Sequence, residues 1–322
     1  MTPSSVLVVK PSSLGDIVHT LPAVHYLKGT FQDARITWIA NSEWVPLLEE
    51  NADLQTIIPF PRTEFRGPIG FFKFVRWCWA LSGLEPDLVL DFQGLFRSAW
   101  ISRSAKGKSV FGLSDSREAS RFCYNRRAFV QPGQHSVDRY IALARLAGAD
   151  TSGPIQFPLP RGKAIPSLEL PERFVVLHPF ARGARKSLTQ EEIFELTRLL
   201  VPIPVVVAGQ SDTRFAMGRN GVSLVNQTDL SELIWLLRRS SFIVSVDSGP
   251  MHIGAAITSE LLSIHTWSDP DSVGPYNPDA WIWKAQRIFQ VRSNQTEESR
   301  EEDNERPDVA QIARFVLDRL LH

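Results

Sequence analysis

Short apolar runs alternate with longer stretches whose apolar residues recur at helical spacing. Residues 6–9 (Val-Leu-Val-Val) precede a helical segment over residues 17–28, and residues 36–40 form a second strand-like run. Residues 43–50 read as helical, Thr56–Phe60 as extended, and residues 71–81 as helical again. Leu88–Asp91 predicts a strand, followed by Phe92-Gln93-Gly94, a helix through Arg103, and a short strand at residues 110–113. This alternation predicts a parallel sheet with helices on both faces. It breaks over residues 151–172, where Pro154, Pro158, Pro160, Pro166 and Pro171 mark a linker. It then restarts with strands at 174–178, 205–208, Phe242–Val246 and 262–265, and helices at 190–200, 231–239 and about 250–257. Residues 1–160 and 161–322 are therefore expected to form two parallel α/β domains facing a cleft. Residues 293–305 are highly charged, without apolar periodicity, and are expected to be an exposed, mobile loop. After Pro307 a final amphipathic helix carries Val309, Ile312, Ala313, Val316 and Leu320 on one face. It is expected to cap the fold by packing back on the first domain.

Composition narrows the class. A chain of 322 residues with 43% hydrophobic and 22% charged residues suits two ordinary globular domains. Its 35 basic and 35 acidic residues cancel, which argues against a nucleic-acid partner. Cys78 and Cys123 are far apart and have no metal-ligand spacing, which fits a reducing compartment. The first residues lack the basic and apolar regions of a secretory signal, and no apolar run reaches the roughly 18 residues of a membrane span. A cytoplasmic protein, free to sit on a membrane surface, is expected.

Three strand-end loops carry candidate chemistry. Lys10-Pro11-Ser12-Ser13-Leu14-Gly15-Asp16 joins the first strand to the first helix, where open α/β sheets place ligands. Asp16 is the candidate catalytic group there, while Ser13 and Asp16 also fit a simple helix cap. Asp247-Ser248-Gly249-Pro250-Met251-His252 follows the strand Phe242–Val246. A helix starting at such a loop offers N–H groups and a dipole to an anion, and Pro suits the first turn. The same residues also fit an ordinary capped helix. The third loop, after residues 174–178, holds Arg182, Arg185 and Lys186, which suit a departing diphosphate or a solvated basic turn. Asp212, after the Val207-Ala208-Gly209 strand end, is a weaker candidate for a ribose or base contact. No Gly-x-Gly-x-x-Gly, Walker loop, Gly-x-Ser-x-Gly or His-Glu-x-x-His occurs, and no Asp-x-Asp for a divalent metal.

Together these signals resemble the ADP-heptose:lipopolysaccharide heptosyltransferases of glycosyltransferase family 9, over nearly the whole chain. The first loop is similar to the family's Lys-x-Ser-Ser-x-Gly-Asp pattern, and Asp247 to Ala256 to its Asp-[Ser/Thr]-Gly-x-x-His-x-x-Ala-Ala pattern. Asp91-Phe92-Gln93-Gly94-Leu95, Phe122-Cys123-Tyr124-Asn125-Arg126 and Gln134-His135-Ser136-Val137-Asp138-Arg139 look more like heptosyltransferase I than II. The family often has Trp shortly after the phosphate-loop lysine. Here Ser187-Leu188 follow Lys186, which leaves both Arg185 and Lys186 open as the phosphate contact.

The resemblance implies a GT-B fold of two Rossmann-like domains, and inverting transfer of heptose from ADP-heptose to a Kdo residue of a Kdo-lipid A acceptor. It implies no cofactor and no metal. Asp16 is then the base, and Lys186 neutralises the leaving diphosphate. Arg182, Arg185, Asp212, Asp247, Ser248, Gly249 and His252 hold the donor. Ser12, Ser13, Gly15, Arg62, Arg66, Gln93, Arg117 and His135 face the acceptor, with Arg97, Arg121 and Arg126 as further surface cations. Phe71, Phe72, Phe74, Trp77 and Trp79 are expected on a core helix, an amphipathic membrane-proximal element beside Arg66, Lys73 and Arg76 being the other reading. Peripheral contact with the cytoplasmic face of the inner membrane is expected. The competing functions are heptosyltransferase II or another GT-B transferase with a different nucleotide sugar, and a nucleotide-sugar-binding protein without catalysis.

Overall fold

A central parallel strand is covered on both faces and has no use for a polar side, and the apolar run at residues 6–9 is buried throughout. The structure, a computed structural model, describes residues 2–166, 169–183, 185–293 and 305–321. It divides into two compact units, Met1–Pro160 and Arg161–His322. Of the charged segment at 293–305, residues 294–304 lie outside the described residues.

The first unit runs β1 (Ser5–Val9), α1 (Leu14–Thr30), β2 (Arg35–Asn41), β3 (Thr56–Phe60), α2 (Gly67–Ala80), β4 (Leu88–Asp91), α3 (Phe96–Ser104), β5 (Ser109–Leu113), β6 (Arg126–Ala128) and α4 (Ser136–Leu146). Its strands are parallel in the order β3-β2-β1-β4-β5-β6. Val8 pairs with Trp38 on one side and Leu90 on the other. Strand order reverses between β1 and β4, so the loops at their carboxyl ends diverge and leave a crevice. Residues 43–50 do not form the expected helix. Ser42–Leu47 is a 3₁₀ turn, in which Pro46 supplies no N–H to an α-helical ladder. Along α2 the core-helix expectation holds for one face only. Phe74 and Cys78 are buried, whereas Ile69, Phe72 and Trp79 stand in solvent.

The second unit runs β7 (Val175–His178), α5 (Gln190–Leu199), β8 (Val205–Gly209), β9 (Gly221–Val225), α6 (Leu230–Arg239), β10 (Phe242–Val246), α7 (Gly249–Ile257), β11 (Leu261–Ile264), α8 (Pro270–Val273), β12 (Trp281–Lys284), β13 (Arg287–Gln290) and α9 (Val309–Leu321). The strand order is β13-β12-β11-β10-β7-β8-β9, again reversing at the first strand, between β7 and β10. The sheet is not wholly parallel, because the β12–β13 hairpin turns its edge strand antiparallel. Helix α9 buries Ile312, Ala313 and Val316 in the second unit's own core with Val175, Leu196 and Phe242. Arg306, just before it, pairs with Glu192 of α5, and Arg319 pairs with Glu260 at 2.8 Å.

One buried carboxylate shapes the carboxyl end of β4. Asp91 accepts hydrogen bonds from the Gln93 N–H (2.9 Å), the Gly94 N–H (3.1 Å), the Ser98 hydroxyl (2.9 Å) and the Tyr124 hydroxyl (2.7 Å). Burial pushes this carboxyl up, and the four donors act against it. Gly112 makes room for the phenol, since a Cβ there would sit 2.3 Å from the Tyr124 ring. Gly94 takes φ +69°, a left-handed turn, and its carbonyl accepts from the Arg117 N–H at 2.8 Å. Gln93 Oε1 accepts from the Ser12 N–H at 3.2 Å, so the turn built on Asp91 supports the loop after β1. Replacing Asp91 with Ala strands several buried donors. It is expected to lower stability in urea unfolding by at least about 3 kcal/mol, and a loss below about 1 kcal/mol would contradict this account of the turn.

Candidate active site

The loop leaving β1 delivers Asp16 into the first turn of α1, with Ser13 as N-cap. The capping expectation describes this carboxylate. Its Oδ2 accepts from the Ser13 N–H (3.0 Å) and the Ser13 hydroxyl (2.7 Å). Its Oδ1 accepts from the Tyr140 hydroxyl at 2.8 Å and lies 3.6 Å from Lys10 Nζ. The side chain remains 34% exposed, so it is anchored yet reachable.

The surrounding charges set its protonation. Burial pushes the Asp16 carboxyl up, but the Lys10 ammonium, the two Ser13 donors and nearby His19 outweigh it and hold the group well below the ordinary carboxylate range. Lys10 is buried at the end of β1, and its Nζ donates to the Phe92 carbonyl (3.1 Å) and the Tyr140 oxygen (2.8 Å). Burial lowers the Lys10 pKa, against the pull of Asp16 and Asp91. Burial and the Asp16 charge raise that of Tyr140 well above the phenol value, so it stays a donor. Tyr140 comes from α4, which packs against α1. Its N-cap His135 meets His19 edge-on, with ring centroids 5.1 Å apart.

In the second unit the two loops at the order reversal also converge. Lys186, after β7, places Nζ 2.5 Å from Asp247 Oδ2, after β10. Burial pushes Asp247 up, and His265 and Lys186 bring it below its usual value. Ser248 is the N-cap of α7, which opens at Gly249 with Pro250 in its first turn, and His252 lies in the same helix start. The Ser248 hydroxyl sits 3.3 Å from Nδ1 of His178, whose pKa burial lowers to about 4, so that ring is neutral. The two candidate phosphate contacts separate. The Lys186 side chain turns to Asp247, while Arg185 is exposed and uses its carbonyl to accept from the Thr266 hydroxyl.

The expected residues therefore fall into groups. Ser12, Ser13, Gly15, Asp16 and Gln93 gather at the crevice of the first unit, with His135 brought in through His19. Lys186, Asp247, Ser248, Gly249 and His252 gather in the second. Arg62 and Arg66 are exposed beyond the carboxyl end of β3, and Arg117 is exposed beside Gly94. Arg182 is exposed after β7, and Asp212 is exposed on the loop after β8. Among the described residues, no group of three or more His, Cys, Asp or Glu side chains is placed to hold a metal ion.

The structure adds groups that the sequence reading did not assign. Lys10 and Tyr140 hold Asp16, although Lys10 stands in the quoted motif. In the second unit the Trp267 ring, largely exposed, lies under Lys186 with its centroid 5.0 Å from Nζ. Behind it, buried His265 contacts the hydroxyls of Ser268 (3.0 Å) and Ser263 (3.1 Å), and buried Lys284 donates to the Ser268 carbonyl (3.0 Å). Burial lowers the His265 pKa to about 4. The usable signal was position, since residues 265–268 directly follow β11 at the same sheet edge.

Known proteins share this fold. A family model described as glycosyltransferase family 9 (heptosyltransferase) matches residues 76–304. The chain is 28% identical to lipopolysaccharide heptosyltransferase 1 of Escherichia coli over 94% of its own length and 98% of that protein's. It is 27% identical to lipopolysaccharide heptosyltransferase 1 of Pseudomonas aeruginosa, covering 84% of this chain and 81% of the other. Among solved structures, E. coli heptosyltransferase WaaC with ADP superposes with a TM-score of 0.75 at 24% identity, over 87% of this chain and 93% of that one. E. coli ADP-heptose lps heptosyltransferase II gives 0.72 at 21% identity, over 98% and 99%. With the fold shared and the family model spanning most of its length, the chain belongs to glycosyltransferase family 9, the heptosyltransferases, and is a glycosyltransferase of the GT-B fold.

Proposed function

We propose that the protein transfers heptose from ADP-heptose to a Kdo residue of the lipopolysaccharide inner core, with inversion and without a metal, at the cytoplasmic face of the inner membrane. The observation that carries this reading is a pair of opposite charges at the two strand-order reversals. The first unit presents the anchored, ionised carboxylate of Asp16, and the second presents Lys186 beside the start of α7. The donor enters the proposal through two solved relatives, one with ADP and one with ADP-2-deoxy-2-fluoro heptose, and the acceptor through relatives named for lipopolysaccharide.

Asp16 takes the proton of the attacking acceptor hydroxyl as the new glycosidic bond forms. A carboxylate held this low is a weak base. It suits an oxocarbenium-like transition state, in which the hydroxyl becomes acidic only as its oxygen bonds to the sugar. ADP leaves from the opposite side of the ring. Lys186 exchanges Asp247 for the diphosphate, and the N-terminus of α7 adds its dipole, so the growing charge is neutralised without protonation. Asp247 and His252 then orient the heptose or phosphate, with Arg182, Arg185 and Asp212 around the nucleotide. On the acceptor side, Arg62, Arg66, Arg117 and His135 meet carboxylates and phosphates, and Ser12, Ser13, Gly15 and Gln93 shape the floor beside the base.

The base role gives a joint test in steady-state kinetics. Asp16→Ala is expected to keep ADP binding and lose about 10²–10⁴-fold in kcat. Tyr140→Phe removes a donor that favours the ionised carboxylate, so the Asp16 pKa rises and the acid limb of kcat/KM moves to higher pH. Near-normal kcat in the first variant, or an unmoved acid limb in the second, would reject Asp16 as the base.

The division of labour gives a second test. Lys186→Ala should weaken ADP binding in calorimetry and slow transfer, because the diphosphate contact serves both ground and transition states. Arg117→Ala should raise the KM for a Kdo-bearing acceptor and leave ADP affinity unchanged. The reverse pattern would mean that donor and acceptor sides have been exchanged.

A further inference from the structure

Helix α2 is apolar on two faces. Inward, Phe74 and Cys78 join the core with Phe60 and Leu81. Outward, Phe72 (73% exposed) and Trp79 (77%) lie seven residues apart on one stripe, flanked by Ile69 (77%). Arg76 falls in the same stripe, four residues from Phe72 and seven from Ile69, and Lys73 sits at its border. Over residues 62–80 the cations Arg62, Arg66, Lys73 and Arg76 face a single carboxylate, Glu64, in a chain whose total charge is zero. An ion pair on this stretch, Lys73–Glu64 at 3.8 Å, joins two exposed side chains and neutralises little.

We infer that this outward face of α2 is the surface by which the protein lies on an anionic lipid bilayer. Aromatic side chains interleaved with Lys and Arg on one exposed helix face fit the interfacial zone, where rings enter the acyl boundary and cations meet lipid phosphates. A second copy fits worse. A two-fold contact through this face would set Lys73 and Arg76 against their own counterparts. A conventional protein partner also fits worse, since the buried centres of such interfaces are depleted of Lys. The inference rests on the proposed function for the nature of the acceptor. Arg62 and Arg66 immediately precede α2, so docking this face brings them to the headgroup layer from which a lipid-borne acceptor projects.

The test is co-sedimentation with vesicles. The full chain is expected to bind vesicles of phosphatidylglycerol and phosphatidylethanolamine, and to bind phosphatidylcholine vesicles much less. The double variant Phe72→Glu, Trp79→Glu should weaken binding to the anionic vesicles by at least about tenfold, and Lys73→Gln, Arg76→Gln by about tenfold. Transfer to a soluble, deacylated Kdo acceptor should be unchanged in both. Absence of vesicle binding by the parent chain, or equal binding by the glutamate variant, would overturn the inference. So would a solution dimer that the glutamate variant splits, or loss of transfer to the soluble acceptor along with vesicle binding. If no protein transfers heptose at all, the proposed function fails while the vesicle result still decides the surface.

Discussion

A parallel strand buried on both faces leaves the chain one place for polar chemistry: the loop beyond its carboxyl end. Each unit has such a strand first in sequence, β1 and β7, and in each the strand order reverses beside it. The crevice is thus a consequence of topology rather than of any particular side chain. What the side chains decide is which charge appears there. One unit places a carboxylate after its first strand, and the other a lysine, each beside a helix start.

Both charges are costly to bury, and each is made tolerable in the same way. Asp16 has two Ser13 donors, the Tyr140 hydroxyl and the Lys10 ammonium around it. Asp247 has Lys186, with His265 and Ser268 behind. A buried ion survives when its remaining hydrogen-bonding capacity is filled, and such an arrangement also fixes where it points. For Asp16 the cost is basicity, because every donor that orients the carboxylate also stabilises its charge. For Lys186 the pairing leaves the ammonium held on Asp247 and the Trp267 face.

Much of the architecture was legible because local signals agree with it. Apolar runs bounded by Pro, Gly and Ser gave the central strands, and Leu88–Asp91 and Phe242–Val246 match in extent. The loops holding Asp16 and Asp247 were legible for the same reason, each being a polar, Gly-containing break between a strand and a helix. Tyr140 was not, because it reaches Asp16 from 124 residues away and only the packing of α4 on α1 brings them together. The three-residue strand β6, with exposed Arg126 and Arg127, has too little apolar pattern to announce itself. Periodicity showed that α9 buries one face but could not say against what, and the core of the second unit proved to be the answer. In α2 the apolar residues run round the helix, so the pattern alone could not separate the buried side from the exposed one.

The proposed reaction is inverting heptosyl transfer with Asp16 as the base and Lys186 on the departing diphosphate. The most direct measurement is NMR of the product formed from ADP-heptose and a deacylated Kdo acceptor, with other nucleotide sugars supplied in parallel. The expected product carries a new heptose–Kdo linkage whose anomeric configuration is opposite to that of the donor, formed from ADP-heptose in preference to the other sugars. Retained configuration, preferential use of a different nucleotide sugar, or release of free heptose without a linkage would contradict it.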